Sequence, residues 1–408
     1  NCSSLKEVFL PPSITNISNS AFRNCNSLQK ITFSSPNKDT TSYSKLNVKY
    51  FTRKLPSNVQ TNGCLRYRED MTDGTPSITI IDYVGSDKTV TIPEGIDGKP
   101  VTRIMSYAFH GNEYVEKIIV PDSVTEIQGD AFKNCAKLKT VKLPKNLKGL
   151  YHCTFKNCPS LTDVTIPEGV TFIGTNAFQD CTALQKIEIP ASVKKLKDGA
   201  FLGCTRLSEV TLHNGLLYLS FDAFNGCTDL QQITLPNSLK MIKSRAFKNS
   251  GLQTITLPNS VTTMGEEVFM GCTGLTEASL SNKLSYTNYY TFSGCTNLEK
   301  VTLPAGIKTI GYGTFSACSS LKTIALPSTL EGIDEGVFND CTSLQAITVP
   351  DSVKYIGGRV FQNCVGLQKA TLSQSLIAIP WSAFENCVNL QSVNIPKKVT
   401  TINTEAFK

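Results

Sequence analysis

The chain has 408 residues, a formal net charge of +7 at pH 7 and an ordinary hydrophobic fraction of 40%. No apolar run reaches the roughly 18 residues that a transmembrane helix needs, so the sequence predicts no membrane insertion. Length alone suggests two or three domains, but a regular internal repeat overrides that expectation.

Residues 1–34 are predicted to be the end of a first repeat array. They carry a cysteine, a leucine three residues later and then alternating apolar residues, as in "CNSLQKITF" from Cys25 to Phe33. The pattern breaks at Ser34. Residues 35–63 are rich in Ser, Thr, Asn, Asp and Lys, which predicts an irregular insertion.

Residues 64–87 are predicted to form a β-hairpin. Two alternating stretches flank Asp73 and Gly74, a dipeptide typical of tight hairpin turns. Since the first strand of an array leaves an open edge, we expect this hairpin to cap the array that follows.

The main array spans residues 88–408 and repeats every 23 residues. Its unit reads C-x-x-L-x-x-[IV]-x-[LI]-P-x-x-[VL]-x-x-[IL]-x-x-x-A-F-x-x, as in Cys181 to Gly203. Ser250 occupies the cysteine position of one repeat, which is a residue shorter than the others. A phenylalanine column three residues ahead of the cysteines accounts for 15 of the 20 phenylalanines, namely Phe22 and the series from Phe109 to Phe407.

The repeat unit predicts its own secondary structure. Period-two alternation is typical of a half-buried strand, and the proline that follows ends the strand because it has no N–H to donate. One unit cannot bury its apolar residues alone, so stacked units must share a continuous core. The sequence therefore predicts a β-rich α/β solenoid, a right-handed leucine-rich-repeat superhelix with a parallel β-sheet and short helical turns near Ala-Phe.

The cysteines number 15, so at least one has no partner within the chain. Thirteen occupy the repeat column, where a small, weakly polar side chain suits a buried position. Stacked side chains that point the same way have poor geometry for disulfides. We therefore expect free, buried thiols, with Cys64 and Cys153, which lie outside the column, as the most reactive.

The 23-residue unit resembles the BspA-like leucine-rich repeats, also called the Treponema pallidum type. The stretch "VTIPEGIDGKPVTRIMSYAF" is similar to the way such arrays commonly begin, and the resemblance covers nearly the whole chain outside residues 35–62. It implies an extracellular or cell-surface location. Several members of that family act as adhesins for host matrix proteins or other microbes, but the resemblance implies no particular ligand and brings no site residues.

The sequence gives little support to a catalytic or metal-binding role. The three histidines, His110, His152 and His213, lie on separate repeats, and the common hydrolase and phosphate-binding motifs are missing. His152, Cys153 and Cys158 have a metal-like composition, but Cys158 belongs to the buried column and the cysteine spacing does not match common zinc patterns. The sequence predicts no enzyme, no metal site and no cofactor.

A basic stretch between Lys133 and Lys148 contains six lysines. It could bind an acidic glycan or nucleic acid, but nucleic-acid-binding signatures are absent. We interpret these lysines as a solvated surface and predict no nucleic-acid partner.

Aromatic residues that depart from the repeat just before Ala-Phe are the candidate binding residues. They are Tyr286, Tyr289, Tyr290, Tyr312 and Trp381. Tyrosines at a loop edge suit recognition, because each ring can bury a large area and keeps a polar group. Alternatively, the tyrosine rings pack over Thr287, which replaces the usual isoleucine. For Trp381, an exposed anchor and local packing are both possible.

The function predicted from these features is a secreted or cell-surface protein-interaction module that binds a protein or glycan, in the manner of an adhesin. The alternative is a structural spacer that displays another domain. A ladder of threonines at the outward strand position, from Thr165 to Thr371, is compatible with that alternative, because threonine mainly stabilises an exposed strand. We expect a monomer.

Overall fold

The computed structural model describes residues 5–10, 30–33, 51–53 and 59–408, which form a β-solenoid of about 14 turns. The strands that precede the regular turns are β1 Glu7–Leu10, β2 Lys30–Phe33, β3 Phe51–Arg53, β4 Gln60–Asn62, β5 Leu65–Thr72, β6 Thr75–Tyr83, β7 Thr89–Thr91, β8 Gly95–Ile96 and β9 Lys99–Ile104. The next strands are β10 Lys117–Ile119, β11 Glu126–Ile127, β12 Thr140–Lys142, β13 Asp163–Val164, β14 Phe172–Ile173, β15 Lys186–Ile189, β16 Lys195–Leu196, β17 Glu209–Leu212, β18 Tyr218–Leu219, β19 Met241–Ile242, β20 Thr254–Thr256 and β21 Thr263–Met264. The last are β22 Glu277–Ser279, β23 Tyr286–Thr287, β24 Lys300–Thr302, β25 Thr309–Ile310, β26 Gly332–Ile333, β27 Ala346–Thr348, β28 Tyr355–Ile356, β29 Lys369–Thr371, β30 Ala378–Ile379, β31 Ser392–Asn394 and β32 Thr401–Ile402.

The turns contribute strands to two stacks, each divided into several short sheets. The first stack lies before the prolines and consists of β7, β10, β12, β13, β15, β17, β20, β22, β24, β27, β29 and β31. The second stack lies before Ala-Phe and consists of β9, β11, β14, β16, β18, β19, β21, β23, β25, β26, β28, β30 and β32. Strands of successive turns pair in parallel, so residues one repeat apart are direct neighbours, as with Lys186 and Glu209.

The strands β1, β2 and β3 form a separate parallel sheet in which Thr32 pairs with Thr52. Strands β3 and β4 both fall within the segment 35–63, for which the sequence predicted an irregular insertion. The rest of residues 1–58, including Phe22, lies outside the described residues. The division of the chain into domains at 34, 63 and 87 stays a prediction.

The predicted hairpin is present. Strands β5 and β6 pair antiparallel around Asp73 and Gly74, whose positive φ angles of 49° and 77° fit a two-residue hairpin turn. Strand β6 then pairs in parallel with β9, which pairs with β11. The hairpin therefore extends the first edge of the second stack.

The prediction of short helical turns near Ala-Phe is wrong, since none of the described residues is helical. The N–H groups of Asn176 and Phe178 donate to the carbonyl oxygens of Asp198 and Ala200 in the next turn, at 2.9 and 2.8 Å. A helix would need those donors for its own i→i−4 bonds. Asn176 also has a φ of 56°, which a right-handed helix excludes.

The core is a continuous rod of stacked side chains. Consecutive phenylalanine rings from Phe109 to Phe407 lie 5.2 to 5.7 Å apart, and most pairs are nearly parallel, as with Phe178 and Phe201 at 3°. A buried phenylalanine contributes about 3–5 kcal/mol relative to alanine. The aromatic column therefore supplies a large share of the stability.

The described cysteines of the column are free and buried, as predicted from their spacing. Cys64 is exposed and Cys153 is half-buried, which agrees with their position outside the column. Burial raises the pKa of the Cys272 thiol to about 11, so this group stays protonated at neutral pH. At Ser250, the hydroxyl group lies 3.3 Å from the Cys272 sulfur.

Candidate binding surface

The outer face of the second stack carries many of the exposed aromatic residues. We define the second-stack face over the turns between residues 148 and 382. In each of these turns it comprises six residues, beginning one residue before the second-stack strand or, in the first turn, at the equivalent position. These are residues 148–153, 171–176, 194–199, 217–222, 240–245, 262–267, 285–290, 308–313, 331–336, 354–359 and 377–382. All five predicted binding residues lie on this face.

Three of the four predicted tyrosines form one cluster. The ring of Tyr312 lies 5.1 Å from the ring of Tyr290 and 6.4 Å from that of Tyr289, both in edge-to-face geometry. Burial and the neighbouring Tyr312 hydroxyl raise the pKa of Tyr290. Tyr286 projects from β23 and, among the described residues, makes no ring contact with the cluster. Tyr286 and Tyr289 are 45% and 50% exposed, so both present ring surface to a ligand.

The hydroxyl group of Thr287 is hydrogen-bonded by residues other than these tyrosines. The residue is buried, and its hydroxyl lies 2.9 Å from the hydroxyl of Thr314 in the next turn. The N–H of Gly311 donates to the same Thr287 oxygen at 3.0 Å. A polar group inside the core is thus satisfied by neighbouring polar groups, which removes most of the cost of burying it.

Trp381 combines the two roles that the sequence left open. One side of its indole packs over Gly358, where an added methyl group would clash with the ring. The Arg359 guanidinium lies 4.4 Å from the ring centroid. The residue is nevertheless 38% exposed, so part of the indole stays available.

Glycines form the base on which several rings of this face lie. The ring of Phe172 covers Gly149, and the ring of Tyr355 covers Gly332, in each case in the preceding turn. Tyr355 is about as exposed as Tyr286 and lies on the same face, and so does Tyr218. Neither tyrosine was predicted from the sequence, although both occupy the same repeat position as Tyr286, directly before the isoleucine column. A glycine one repeat before an aromatic residue is the signal that marks Tyr355.

The cluster of metal-like composition does not assemble. Cys158 is buried in the column and donates to the Phe132 carbonyl, whereas His152 is exposed and lies 3.2 Å from Asp130. Within the part of the chain that the structure describes, no group of three or more His, Cys, Asp and Glu could hold a metal ion. The described residues also contain no helix of the length and apolarity needed to cross a membrane.

The basic stretch that begins at Lys133 is distributed around one turn of the solenoid. Lys139 binds Glu116 at 2.7 Å, Lys145 lies 3.7 Å from Asp122, and Lys133 binds the buried Asp130. These ion pairs neutralise part of the stretch. Only its last member, Lys148, lies on the second-stack face.

A comparison with protein families identifies one match. The model of the BspA type leucine rich repeat region matches in six copies, over residues 1–65, 102–220, 198–322 and 287–408. No curated protein matches the sequence.

Two solved bacterial leucine-rich-repeat structures are similar to this chain. A leucine-rich repeat protein from Bacteroides ovatus is 28% identical, with a TM-score of 0.56, over 84% of this chain and 98% of that one. A leucine rich cell surface protein from Faecalibacterium prausnitzii is 27% identical, with a TM-score of 0.52, over 84% of this chain and 95% of that one.

Proposed function

The chain belongs to the BspA-type leucine-rich-repeat family, and we propose that it is a secreted or cell-surface module that binds a host or microbial macromolecule. The similar protein from Faecalibacterium prausnitzii is described as a cell surface protein, which supports this location. The second-stack face is the surface that we assign to binding.

The observation that carries the proposal is the tyrosine cluster of residues Tyr289, Tyr290 and Tyr312. Its rings are partly exposed, and their edge-to-face contacts restrict the rotamers that they can adopt. Side chains that are already ordered lose little conformational entropy when a ligand binds. Tyrosine also combines apolar area with a hydroxyl group, which is why it is enriched among residues that dominate binding energy.

The experiment is a binding screen of the full chain against immobilised matrix proteins and glycans. The double variant Tyr289→Ala with Tyr312→Ala should weaken the strongest interaction by about 30-fold, the effect of about 2 kcal/mol expected at a binding hot spot. Tyr114→Ala is the matched control, because Tyr114 is equally exposed but lies away from the second-stack face. Binding that survives the double variant unchanged would remove the cluster from the proposal.

A structural spacer is the second candidate. The outward residues of the first stack include Thr256 in β20, Thr302 in β24 and Thr348 in β27, all exposed and chemically uniform. Such a face stabilises the sheet and offers little specificity. A screen in which the unchanged chain binds no matrix protein or glycan would favour the spacer over the binding module.

A further inference from the structure

The second-stack face is strongly basic over one half of its length. Between residues 148 and 245 its cationic residues are Lys148, Lys194, Lys195, Lys197, Lys240, Lys243 and Arg245. Its carboxylates in the same part are Asp198 and Asp222. Between residues 262 and 382 acidic residues outnumber basic ones. The basic residues there are Lys308, Lys354 and Arg359, and the acidic residues are Glu266, Glu267, Glu331, Asp334 and Glu335.

The six lysines of the basic half form no salt bridge with any described residue, although Lys194 donates to the Ala191 carbonyl. By contrast, Arg245 forms a two-point pair with Asp222, with both distances 2.9 Å. Lys308 and Lys354 occupy the same repeat position as three of the six, and both bind Glu331, at 2.9 and 2.8 Å. The basic half therefore has uncompensated charge that an anionic ligand can neutralise.

Turns with and without lysines alternate in this half. The lysine-bearing turns, at 148–153, 194–199 and 240–245, are separated by turns with Phe172 and with Tyr218 and Phe221, and the first lysine-bearing turn also carries Tyr151. Neighbouring parallel strands lie ~4.8 Å apart, so the lysine-bearing turns recur about every 10 Å.

Two of these lysines lie over the rings of neighbouring turns. The ammonium of Lys197 is 5.3 Å from the Phe172 centroid, and that of Lys243 is 4.8 Å from the Phe221 centroid. These contacts hold positive charge above flat apolar surfaces.

We propose that this basic–aromatic surface, the second-stack face between residues 148 and 245, binds an extended acidic polysaccharide such as a sulfated glycosaminoglycan. The recurrence of the lysine-bearing turns is comparable to a disaccharide repeat, because the pattern of charged groups in such a polymer returns every second sugar. Among the intervening rings, the exposed ring of Tyr218 gives apolar contact to the face of a sugar ring. The inference goes beyond the proposed function, because it uses turns other than those of the tyrosine cluster.

Single-stranded nucleic acid fits this surface less well. Single strands bind through bases that stack on open aromatic faces. Here the faces of Phe172 and Phe221 already carry ammonium groups.

The test measures binding of heparin to the full chain over a range of salt concentrations. The triple variant Lys194→Gln, Lys195→Gln and Lys240→Gln should bind at least about 10-fold more weakly, with a salt dependence shallower by about two to three ions. Its thermal unfolding midpoint should match that of the unchanged chain, because the three lysines are exposed and form no ion pairs.

The matched control is Lys300→Gln with Lys308→Gln and Lys354→Gln. It makes the same change in net charge, but at lysines that are paired with Glu277 or Glu331. Heparin binding by this control should stay within about twofold of the unchanged chain, since these lysines lie on turns beyond the basic half and exposed charges are largely screened over about 8 Å at physiological salt.

Three results would overturn the proposal. The first is an equal loss of heparin affinity in the two triple variants. The second is the absence of heparin binding by the unchanged chain at physiological salt. The third is tighter binding of a single-stranded oligonucleotide or of polyglutamate than of heparin at the same salt. The variant Tyr289→Ala with Tyr312→Ala should keep heparin binding. Failure of the tyrosine cluster and failure of the basic–aromatic surface are therefore distinguishable.

Discussion

The thiol of Cys181 donates a hydrogen bond of 3.1 Å to the carbonyl oxygen of Phe155 in the preceding turn. Both residues are fully buried, and the bond recurs along the column, as between Cys204 and Phe178 at 3.0 Å. A buried carbonyl that loses its donor costs about 1–3 kcal/mol. The cysteine column therefore contributes hydrogen bonds as well as volume.

The first prediction concerns alkaline pH. Burial raises the pKa of Cys181 from 9.0 to about 12, so the folded thiol keeps its proton where the unfolded thiol loses it. The resulting stability is complete below pH 9 and is lost as the pH rises towards 12. Each such thiol should lower the free energy of unfolding by about 1.4 kcal/mol per pH unit in that window.

Urea unfolding at several pH values measures this slope. Cys181→Ala should release about one proton fewer on unfolding at pH 10 than the unchanged chain. Cys64→Ala, which removes an exposed thiol, is the control and should leave the slope unchanged. Equal slopes for Cys181→Ala and the unchanged chain would contradict a buried, protonated thiol.

The second prediction concerns Ala317, which has a φ of 60°. In every other described turn from residue 111 to residue 386, the corresponding residue is Gly, Asn or Asp and also has a positive φ. These residues are Gly111, Asn134, Asn157, Asp180, Gly203, Gly226, Asn249, Gly271, Gly294, Asp340, Asn363 and Asn386. Alanine is strained in this region, whereas glycine is not. Ala317→Gly should therefore raise the free energy of unfolding by about 0.5–1 kcal/mol.

Ala305→Gly is the matched control, because Ala305 is exposed and has ordinary backbone angles. There the same substitution should destabilise the protein by about 0.4–1 kcal/mol, since glycine only adds freedom to the unfolded chain. Chemical unfolding of both variants should show opposite signs. A shared sign would argue against strain at Ala317.

The third prediction uses Trp381 as its own reporter, because it is the only tryptophan. Gly358→Ala should displace the indole from its base and weaken its contact with Arg359. We expect emission at longer wavelength, easier quenching by acrylamide, and a loss of about 0.5–1 kcal/mol. Gly332→Ala creates the same clash with Tyr355 and should leave the tryptophan emission unchanged. Unaltered emission in Gly358→Ala would refute this packing.

The fourth prediction concerns the hydroxyl pair of Thr287 and Thr314. Thr287→Val removes the acceptor of the Gly311 N–H and should cost about 1–3 kcal/mol. In combination with Thr314→Ala, the total loss should be smaller than the sum of the single losses by about 1 kcal/mol.

The control cycle uses Thr291→Ala. Thr291 is equally buried, but its hydroxyl donates to the Asn288 carbonyl rather than to Thr287. The stability loss of Thr291→Ala should add to that of Thr287→Val. The unfolding free energies of the three single and two double variants measure both couplings. Additivity in the first cycle as well would show that the two hydroxyls do not interact.

The sequence by itself determined the solenoid and its core. Residues that recur every 23 positions occupy equivalent places in stacked turns, so the columns of Phe178 and Cys181 had to be buried together. The hairpin was equally readable, because Asp73 and Gly74 favour the φ angles that its turn requires. The helical turns were predicted wrongly, since sequence does not show that the N–H of Phe178 bonds to the next turn.

Only the tertiary structure decided which surface residues become neighbours. The lysines from Lys133 to Lys148 are adjacent in sequence, yet they lie around one turn and several are paired with carboxylates. Lys195 instead lies between Phe172 in the preceding turn and Tyr218 in the following one, each 23 residues away. The physical reason is that stacked strands bring residues one repeat apart to about 4.8 Å, closer than most residues within a turn.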